Sequence, residues 1–411
     1  MQKLLENARV LTPDFTIWEG NILVSGERIA GLLAKSDIPG VQIDQQIDLK
    51  EKLVFPSLIN SHDHLYDSFW PPFNGLKYNN WFEWDSAFRA SENFINKQKL
   101  SVADLYSLGM YKNVLSGTGL IVDHFPLDVV SNFFQKPLVN LLEHFFLAHS
   151  ASTKSPEWGA GLKEEFRKTR GILPFVLHVE EGFDPEILQE IETINRMDVL
   201  ADNTVIINGI GLSDADLELI CSKNASLVWC PVANNQVFGK DTPIGNIFKK
   251  GIKCALGTDS SIKGSLGIMD DLRFGLKVLR EKTFLKDPQR TLLEMTTSIP
   301  AEIFRISKDY GSIEKGKIAN FLIFEDLFND PLNSFFDLSP SKISLLMNRG
   351  NLVYGEEEYR AACSLDFEQY SETLVEGKTK IIWGHPIQLL SRVNNKLGQP
   401  QKFGLLPLSE E

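Results

Sequence analysis

The pattern of apolar and polar positions divides the 411-residue chain into stretches of two textures. Residues 1–55 carry short alternating runs that predict strands and no helix, and the same texture returns after residue 310. In between, apolar strands alternate with amphipathic helices of about ten to fifteen residues, which is typical of parallel βαβ units. Repeated over about 250 residues, such units predict a (β/α)8 barrel, and we expect the two outer stretches to join in one small β-domain.

The predicted domain boundaries follow these changes of texture. Residues 1–55 and 311–365 are assigned to the two parts of a β-sandwich domain, and residues 56–310 to the barrel. Residues 366–411 show weak periodicity, apart from a helix predicted over 386–397. The pattern assigns this last segment no role.

The barrel elements are predicted from apolar runs that stop at a polar residue or a proline. The predicted strands lie at 55–64, 120–124, 175–178, 204–209, 227–231 and 253–259, with a further strand or a helix at 139–147. Ser101 and Ser213 stand where helix N-caps are expected, and each is followed three residues later by an aspartate. We therefore expect helices to begin after both serines.

Polar residues stand at the ends of several of these strands. The first barrel strand ends in His62-Asp63-His64, and His178 and Asp259 end two later strands. Side chains two apart on a strand share a face, so His62 and His64 are expected to project together while Asp63 points away. The carboxyl ends of barrel strands carry the chemistry of that fold. Three imidazoles and one carboxylate there predict a site for a single zinc or iron(II) ion with room for a water.

Glu181 lies three residues after His178, in the loop that follows the strand. Facing the bound water, it is predicted to shuttle protons, with its pKa raised by burial and by the nearby carboxylate. A loop glutamate on its own is more often a solvated surface acid. The neighbouring histidines favour the catalytic interpretation.

Charge and cysteine usage narrow the class of protein. A formal net charge of −12, without a block of Lys or Arg, argues against nucleic acid or an anionic membrane surface as a partner. We see neither a secretory signal at the N-terminus nor an apolar run of membrane-spanning length. The cysteines are scattered without a Cys-x-x-Cys pair, which favours small buried thiols in a reducing cytoplasm: Cys221, Cys230, Cys254 and Cys363. We expect a cytoplasmic protein with a small-molecule substrate, and a homo-oligomer stays open.

Candidate substrate-binding residues come from the loops after the strands. The loop at about 65–84 is dense in aromatic rings, which could wall a pocket for a flat substrate or pack on one another as a lid: Tyr66, Phe69, Trp70, Phe73, Tyr78, Trp81, Phe82 and Trp84. His149, Trp229 and Asn234 are further candidates, although a simple loop explains Asn234 equally well. His124 ends a strand and either lines the pocket or has a structural role.

Four motifs in this order give the chain a resemblance to a known family. They are PSLINSHDHL at 56–65, HVEE at 178–181, LGTDS at 256–260 and YGSIEKGKIAN at 310–320. The chain resembles the metal-dependent amidohydrolase superfamily over about residues 1–365, in particular its cytosine deaminase, guanine deaminase and chlorohydrolase-like branch. The resemblance implies a distorted (β/α)8 barrel with a composite β-sandwich built from both chain ends.

The resemblance also implies roles for individual residues. His62, His64, His178 and Asp259 match the mononuclear metal ligands of the family, and Glu181 matches its acid/base residue. Because no lysine ends the segment 139–147, a carbamate-bridged pair of metals is not expected. We therefore expect one divalent ion per chain, with zinc preferred and iron as the alternative.

Asn208 departs from the family pattern, which places a histidine at the end of that strand to bond the metal-bound water or the substrate. Asparagine donates and accepts hydrogen bonds but cannot carry a positive charge or relay a proton. Without the resemblance, Asn208-Gly209 would indicate only a turn. The favoured interpretation is a hydrolase of C–N bonds that uses Glu181, Asp259 and Asn208, most simply in deaminating an amino-substituted heterocycle or opening a cyclic amide. The alternative is a metal-binding but catalytically impaired relative.

Overall fold

The computed structural model describes residues 1–68, 70–73, 75–134, 137–283, 285–360, 367–398 and 406–409. Phe69 and Cys363, both named above, lie outside these ranges. Two assemblies of strands organise the chain. One is an eleven-stranded sheet made from both chain ends, and the other is a set of eight parallel barrel strands surrounded by helices.

The N-terminal stretch consists of strands, as the sequence predicts: β1 (Gln2–Leu11), β2 (Ile17–Ser25), β3 (Arg28–Leu33), β4 (Gln45–Asp48) and β5 (Leu53–Pro56). The barrel strands follow: β6 (Leu58–Asp63), β7 (Thr118–Asp123), β8 (Asn140–Leu141), β9 (Phe146–Ser150), β10 (Phe175–Val179), β11 (Thr204–Asn208), β12 (Ser226–Trp229) and β13 (Cys254–Leu256). The C-terminal strands are β14 (Phe321–Phe324), β15 (Ile343–Asn348), β16 (Asn351–Glu356), β17 (Tyr370–Val375), β18 (Lys378–Trp383) and β19 (Leu408–Ser409).

The helices between these strands are α1 (Trp81–Arg89), α2 (Glu92–Lys97), α3 (Val102–Val114), α4 (Leu127–Val130), α5 (Leu162–Lys168), α6 (Glu190–Arg196), α7 (Asp214–Ser222), α8 (Pro231–Phe238), α9 (Ile244–Lys249), α10 (Ile268–Lys282), α11 (Pro288–Glu294), α12 (Ser298–Ile303), α13 (Pro331–Phe336) and α14 (Pro386–Leu397). The two predicted N-caps are confirmed. The side chain of Ser101 accepts from the N–H of Asp104, and Ser213 forms a complete capping box with Asp216. Within the described ranges, no helix combines the length and the apolar character needed to cross a membrane.

The barrel strands form two parallel sheets, β6–β8 and β9–β13. Strand β13 meets β6 at a parallel bridge between Asp63 and Asp259, where the N–H of Asp259 donates to the carbonyl of His62 at 3.0 Å. At the other junction, the predicted element over 139–147 is wrong in detail, because it consists of two short strands, β8 and β9. These two strands do not pair in the described part of the chain. The barrel is therefore open at this point, which agrees with the distortion expected of it.

Alternation along the barrel strands separates an inner from an outer core. On β10, Phe175 and Leu177 belong to the apolar layer shared with the helices, whereas Val176 belongs to the inner cluster with Val205 and Ile207 of β11. The same alternation directs His178 inward. The buried apolar residues thus hold the barrel while leaving its carboxyl ends, which we call the barrel mouth, to polar side chains.

The outer sheet joins both chain ends, in the order β19-β17-β18-β16-β15-β14-β5-β1-β2-β3 with β4 on β1. It is one mixed hydrogen-bonded sheet with two apolar faces. On β14, Phe321 and Ile323 pack in the core of the sheet's own domain, whereas Leu322 and Phe324 pack in the cluster that contains the barrel helices. The sheet therefore serves as a β-domain and as a support for the barrel.

The C-terminal segment 366–411, to which the sequence assigned no role, contributes three strands to the outer sheet, β17 to β19. The helix predicted over 386–397 is confirmed as α14. Its Arg392 and Lys396 hold the carboxylate of Asp104 on α3, at 2.8 and 2.6 Å. The segment therefore ties the sheet to the barrel helices. Of the described cysteines, Cys230 and Cys254 are buried as expected, but Cys221 is exposed.

Candidate active site at the barrel mouth

The pair His62 and His64 is oriented by an irregularity at the end of β6. Asn60 pairs with Ile121 and Asp63 with Asp123, so three steps along β6 match two along β7, which is a β-bulge. The rings of His62 and His64 lie on one side, with centroids 4.8 Å apart. Asp63 points to the other side, where its carboxylate lies 2.9 Å from the Nζ of Lys112. The two imidazoles thus share a face, as the alternation predicted.

The barrel mouth brings the four predicted metal ligands together. The Nε2 atoms of His64 and His178 lie 3.4 Å apart, and the Nε2 of His64 lies 3.5 Å from the Oδ1 of Asp259. Two groups of three residues each hold their potential ligand atoms within 4.8 Å of one another. One group is His62, His64 and Asp259, and the other is His62, His124 and His178. His124, which the sequence left between two roles, therefore joins the group. We call these five residues the histidine–carboxylate cluster.

The chemistry of this cluster fits a divalent ion. His62 is fully buried, and neither of its ring nitrogens has a hydrogen-bond partner among the described residues. Burial lowers the pKa of His62 and of His64 well below the usual value, so both rings are neutral and offer lone pairs. The Oδ1 of Asp259 is likewise buried without a hydrogen-bond partner in the described part of the chain. Buried lone pairs that converge in this way favour a cation, and imidazole with carboxylate suits zinc or iron(II).

Glu181 lies beside the cluster, where its Oε2 is 3.0 Å from the Nδ1 of His178. Its Oε1 accepts from the Nδ2 of Asn208 at 3.0 Å and lies 3.1 Å from the Nζ of Lys263. Burial by itself would raise the pKa of Glu181, but Lys263 and His178 outweigh it and lower the pKa to about 2. The predicted raised pKa is therefore wrong. Glu181 is a carboxylate at neutral pH because a buried lysine faces it.

Asn208 reaches the same carboxylates by leaving the strand geometry. Ile207 points into the barrel, so regular alternation would direct residue 208 outward. Asn208 instead has a left-handed backbone with φ of 66°, followed by Gly209 with φ of 58°, and asparagine is among the residues that tolerate this region. Its Nδ2 lies within 3.3 Å of the Oδ2 of Asp259 as well as bonding Glu181. The turn signal and the contact with the site are thus both present.

Lys263 is the site residue that sequence reasoning missed. It ends the short 3-10 turn Ser261–Lys263 after β13, and its Nζ lies 3.0 Å from the Oδ2 of Asp259 and 3.1 Å from the Oε1 of Glu181. Burial opposes its charge, but these two carboxylates outweigh burial and raise its pKa. β13 ends at Leu256, three residues before the strand end predicted at Asp259, and Lys263 lies four residues after Asp259. A lysine in a loop indicates a surface cation on sequence grounds, because lysine is rarely buried unless it is paired.

A cavity of about 610 Å³ opens over the cluster. His64, His178, Glu181 and Lys263 form the part of its wall where the cluster lies. Aromatic rings form much of the rest: Tyr66, Trp81, Phe82, Trp84, Phe88, Phe94, Phe125 and Trp158. The N–H of Trp81 donates to the carbonyl of Glu181 at 3.0 Å, which ties the aromatic helix α1 to the loop that carries Glu181. The aromatic segment thus walls a pocket next to the candidate chemistry.

The substrate-binding candidates divide into one that lines the cavity and three that do not. His149 lines it, with its Nδ1 2.8 Å from the Oγ of Ser155. Trp70 is buried against the turn after β13, where its carbonyl accepts from Ser261. Trp229 and Asn234 are fully buried, bonded to Asp241 and Thr242 respectively, because the chain enters α8 directly after β12: Trp229 donates at 2.7 Å and Asn234 at 3.1 Å. The proposal of Trp70, Trp229 and Asn234 as pocket residues is therefore corrected.

The chain is similar in sequence to several known proteins. Residues 173–353 match the model of the amidohydrolase family. A 5-methylthioadenosine/S-adenosylhomocysteine deaminase of Halobacterium salinarum is 24% identical over 370 residues, covering 77% of this chain and 82% of the relative. A 5'-deoxyadenosine deaminase of Methanobrevibacter smithii is 22% identical, covering 78% of this chain and 83% of the relative.

Two solved structures share the fold over nearly the whole chain. An adenosine deaminase from Xanthomonas campestris with bound zinc has a TM-score of 0.70 at 14% identity, covering 96% of this chain and 97% of that one. An atrazine chlorohydrolase from Arthrobacter aurescens in complex with zinc has a TM-score of 0.71 at 16% identity, covering 96% and 100%. These likenesses confirm the predicted fold class, a distorted barrel with a separate β-domain.

Proposed function

We propose that this chain is a member of the amidohydrolase superfamily and a metal-dependent hydrolase of C–N bonds that deaminates a planar, amino-substituted heterocycle. The observation that carries the proposal is the convergence of neutral imidazoles, the Asp259 carboxylate and Glu181 beside an aromatic cavity. Hydrolysis of a cyclic amide would use the same groups. Deamination is favoured because both named relatives are deaminases of adenosine derivatives, whereas the narrower cytosine and guanine deaminase branch stays a prediction.

The ligands proposed for one divalent ion are His62, His64, His178 and Asp259, with zinc preferred and iron(II) as the alternative. A bound ion would supply Lewis acidity and lower the pKa of a water toward neutrality. Asp259 is suited to hold such an ion through Oδ1, because its Oδ2 is already occupied by Lys263 and Asn208. Since Cys230 and Cys254 are buried free thiols, we keep the cytoplasm as the proposed location.

The proton transfers are assigned to the two carboxylates. In a deamination, a C–O bond forms at the carbon that bears the amino group, the C–N bond breaks, and ammonia leaves. Asp259 helps to take the proton from water, and Glu181, which starts as a carboxylate, takes a proton and gives it to the ring nitrogen or to the leaving group. The side-chain amide of Asn208 donates to the Oε1 of Glu181 and fixes the orientation of this carboxylate during the proton transfers. The aromatic walls hold the flat ring and exclude solvent.

The second candidate function is a metal-binding relative with impaired catalysis. Asn208 motivates it, because the amide lacks the charge of the expected histidine and its Oδ1 is buried without a partner among the described residues. An enzyme is favoured, since Glu181 and all four predicted ligands converge at the barrel mouth.

A screen for ammonia release tests the proposal most directly. Zinc-loaded protein is incubated with adenosine derivatives, purines, pyrimidines, pterins and triazines, with Glu181→Gln as the control for contaminating activity. We expect ammonia from at least one class with the unaltered protein and almost none with the variant. Protein that binds one ion but releases no ammonia from any compound would instead support the impaired relative.

Elemental analysis tests the metal assignment separately. His178→Asn is expected to lose the ion, and His144→Asn serves as the matched control because His144 is exposed and lies outside the cluster. His124→Asn distinguishes the two sets of potential ligands, since only one of them contains His124. Two ions per chain, or none, in the unaltered protein would overturn the assignment.

A further inference from the structure

Lys263 is a cation placed between the candidate chemistry and the cavity. Its side chain is 11% exposed and lines the same cavity as Glu181 and His178. Its Nζ contacts one oxygen of Asp259 and one oxygen of Glu181, and lies 5.3 Å from the centre of the Trp84 ring. The lysine is therefore fixed by two carboxylates on one side and by an aromatic wall on the other.

The ammonium of Lys263 has more donors than the protein uses. A lysine ammonium carries three N–H groups. Among the described residues, two acceptors contact it, Asp259 Oδ2 and Glu181 Oε1. One N–H therefore remains for an acceptor in the cavity, on the side of Trp84. A molecule whose flat ring lies along that wall would bring a substituent within reach of it.

The balance of charge favours an acceptor with negative character. The other acids that line the cavity have their own bases, because Asp67 pairs with Lys97, and Asp85 pairs with Arg89 at 2.6 Å. A divalent ion beside Asp259, Glu181 and Lys263 would bring the sum of their charges to plus one. A buried excess charge is stabilised by a ligand of opposite sign.

Asn208 and Lys263 act on the same two oxygen atoms. The amide donates to Glu181 Oε1 and Asp259 Oδ2, and the ammonium contacts these same atoms. The amide contributes a neutral donor, and the lysine contributes the positive charge that asparagine lacks.

We propose that Lys263 is a substrate-binding residue that donates a hydrogen bond to a carbonyl or carboxylate oxygen carried by the planar ring of the substrate. The inference rests on the proposed function only in calling the ligand a substrate. It narrows the class of substrate to heterocycles that carry such an oxygen. Binding alone is sufficient to test it. Equilibrium binding therefore separates a failure of this inference from a failure of the proposed hydrolysis.

The test measures the Kd of a flat carboxylate, benzoate, and of its neutral amide, benzamide, on zinc-loaded protein by titration calorimetry. The variants are Lys263→Met, which removes the donor, Lys263→Gln, which keeps a neutral donor, and Lys263→Arg, which keeps the charge. Lys154→Met is the matched control, because Lys154 lines the same cavity but contacts other groups than Lys263 does. Its Nζ lies 3.8 Å from the Oε2 of Glu186 and 3.8 Å from the centre of the Phe82 ring. Metal content is measured for every variant.

We expect Lys263→Met to weaken benzoate binding by about tenfold or more and benzamide binding by less than about threefold, because a charged donor prefers a charged acceptor. Lys263→Arg should recover most of the benzoate affinity, and Lys154→Met should change it by less than about threefold. On a confirmed substrate, Lys263→Met should raise the KM of the compound that carries the oxygen. It should leave the KM of the analogue without the oxygen unchanged.

Equal weakening of both probes, or no weakening of either at full metal content, would overturn the inference. A benzoate affinity that falls only in Lys154→Met would assign the anion to the outer cavity and also overturn it. If Lys263→Met does not fold, the comparison of Lys263→Gln with Lys263→Arg decides, because only the arginine keeps the charge. Absence of ammonia release together with the expected binding pattern would reject the proposed hydrolysis and leave the role of Lys263 standing.

Discussion

The barrel mouth and the outer sheet each enclose a lysine, and the two lysines differ in their surroundings. Lys263 at the mouth contacts two carboxylates at 3.0 and 3.1 Å. Lys380 on β18 is fully buried and donates to the carbonyl of Ile343 at 2.8 Å, while Glu356 stays at 3.6 Å. Burial works against both charges, but the carboxylates raise the pKa of Lys263, whereas burial dominates at Lys380 and lowers its pKa to about 8.

The groups that contact a buried lysine, rather than its burial, therefore decide whether it keeps its charge. The barrel mouth arranges its carboxylates around the lysine, which is what a site for charged chemistry requires. At Lys380 the outer sheet offers mainly a backbone carbonyl, which is weaker compensation. A third buried lysine, Lys112 of α3, resembles Lys263 in having a buried carboxylate as its partner. Its Nζ lies 2.9 Å from the fully buried Asp63, behind the histidine pair. Substitutions at these positions are expected to differ in sign as well as in size.

Glu181→Gln removes one of the two carboxylates at the mouth and is expected to have the largest effect. The amide keeps the shape but cannot shuttle a proton, so kcat on a confirmed substrate should fall by about a hundred- to ten-thousandfold. Metal content should remain at one ion per chain, because Glu181 is not a proposed ligand. The exposed Glu186 offers a matched Glu186→Gln control. A near-normal kcat in Glu181→Gln would mean that another group carries the proton.

Lys112→Met leaves the buried Asp63 carboxylate without its cation. The free energy of unfolding, measured by urea denaturation, should fall by about 3–5 kcal/mol, which is typical of breaking a buried pair from one side. The double variant Lys112→Met with Asp63→Asn should recover part of the loss, because the unpaired charge is then absent. A loss below about 1 kcal/mol in the single variant would show that Asn60, Ser68 and Asn113 satisfy Asp63 without the lysine.

Asn208→His tests whether the mouth is adapted to asparagine. The larger ring would displace the amide from its contacts with Glu181 and Asp259, so we expect a lower kcat/KM on the native substrate. The change should amount to at most about 3 kcal/mol in transition-state stabilisation, comparable to one electrostatic contact. A higher activity toward substrates of the relatives would instead indicate a decayed deaminase. Metal content is compared in both proteins.

Lys380→Met should have the smallest effect, and of the opposite sign to that of Lys112→Met. The folded-state pKa of about 8 lies below the value of 10.5 expected for the unfolded chain. The cost of burying the charge is therefore present in full below about pH 8 and disappears as the pH rises toward 10.5. The variant should be more stable than the unaltered protein at pH 7, by about 1 kcal/mol, and the difference should close by pH 10.5. A constant difference across this range would contradict the assignment.

Local signals predicted much of the fold, because they depend on neighbouring residues. The caps at Ser101 and Ser213 and the strand that carries His178 follow from short motifs and periodicity. The helix over 386–397 was also found in this way. The three strands of the C-terminal segment were missed, since a strand that packs at the end of a sheet needs partners that lie far away in sequence.

The sequence predicts four metal-ligand candidates and Glu181 at the barrel mouth, because parallel strands end at the same edge and the residues that follow them are read directly. It does not predict Lys263, and the charges of these residues follow from their contacts in three dimensions. Lys263 and Glu181 are 82 positions apart, and their contact lowers the pKa of Glu181, which burial alone would raise. The tertiary structure also places the side chains of Trp229 and Asn234 against Asp241 and Thr242 after α8, whereas His124 joins the histidine–carboxylate cluster. These outcomes depend on distances between groups in three dimensions, which periodicity along the chain does not contain.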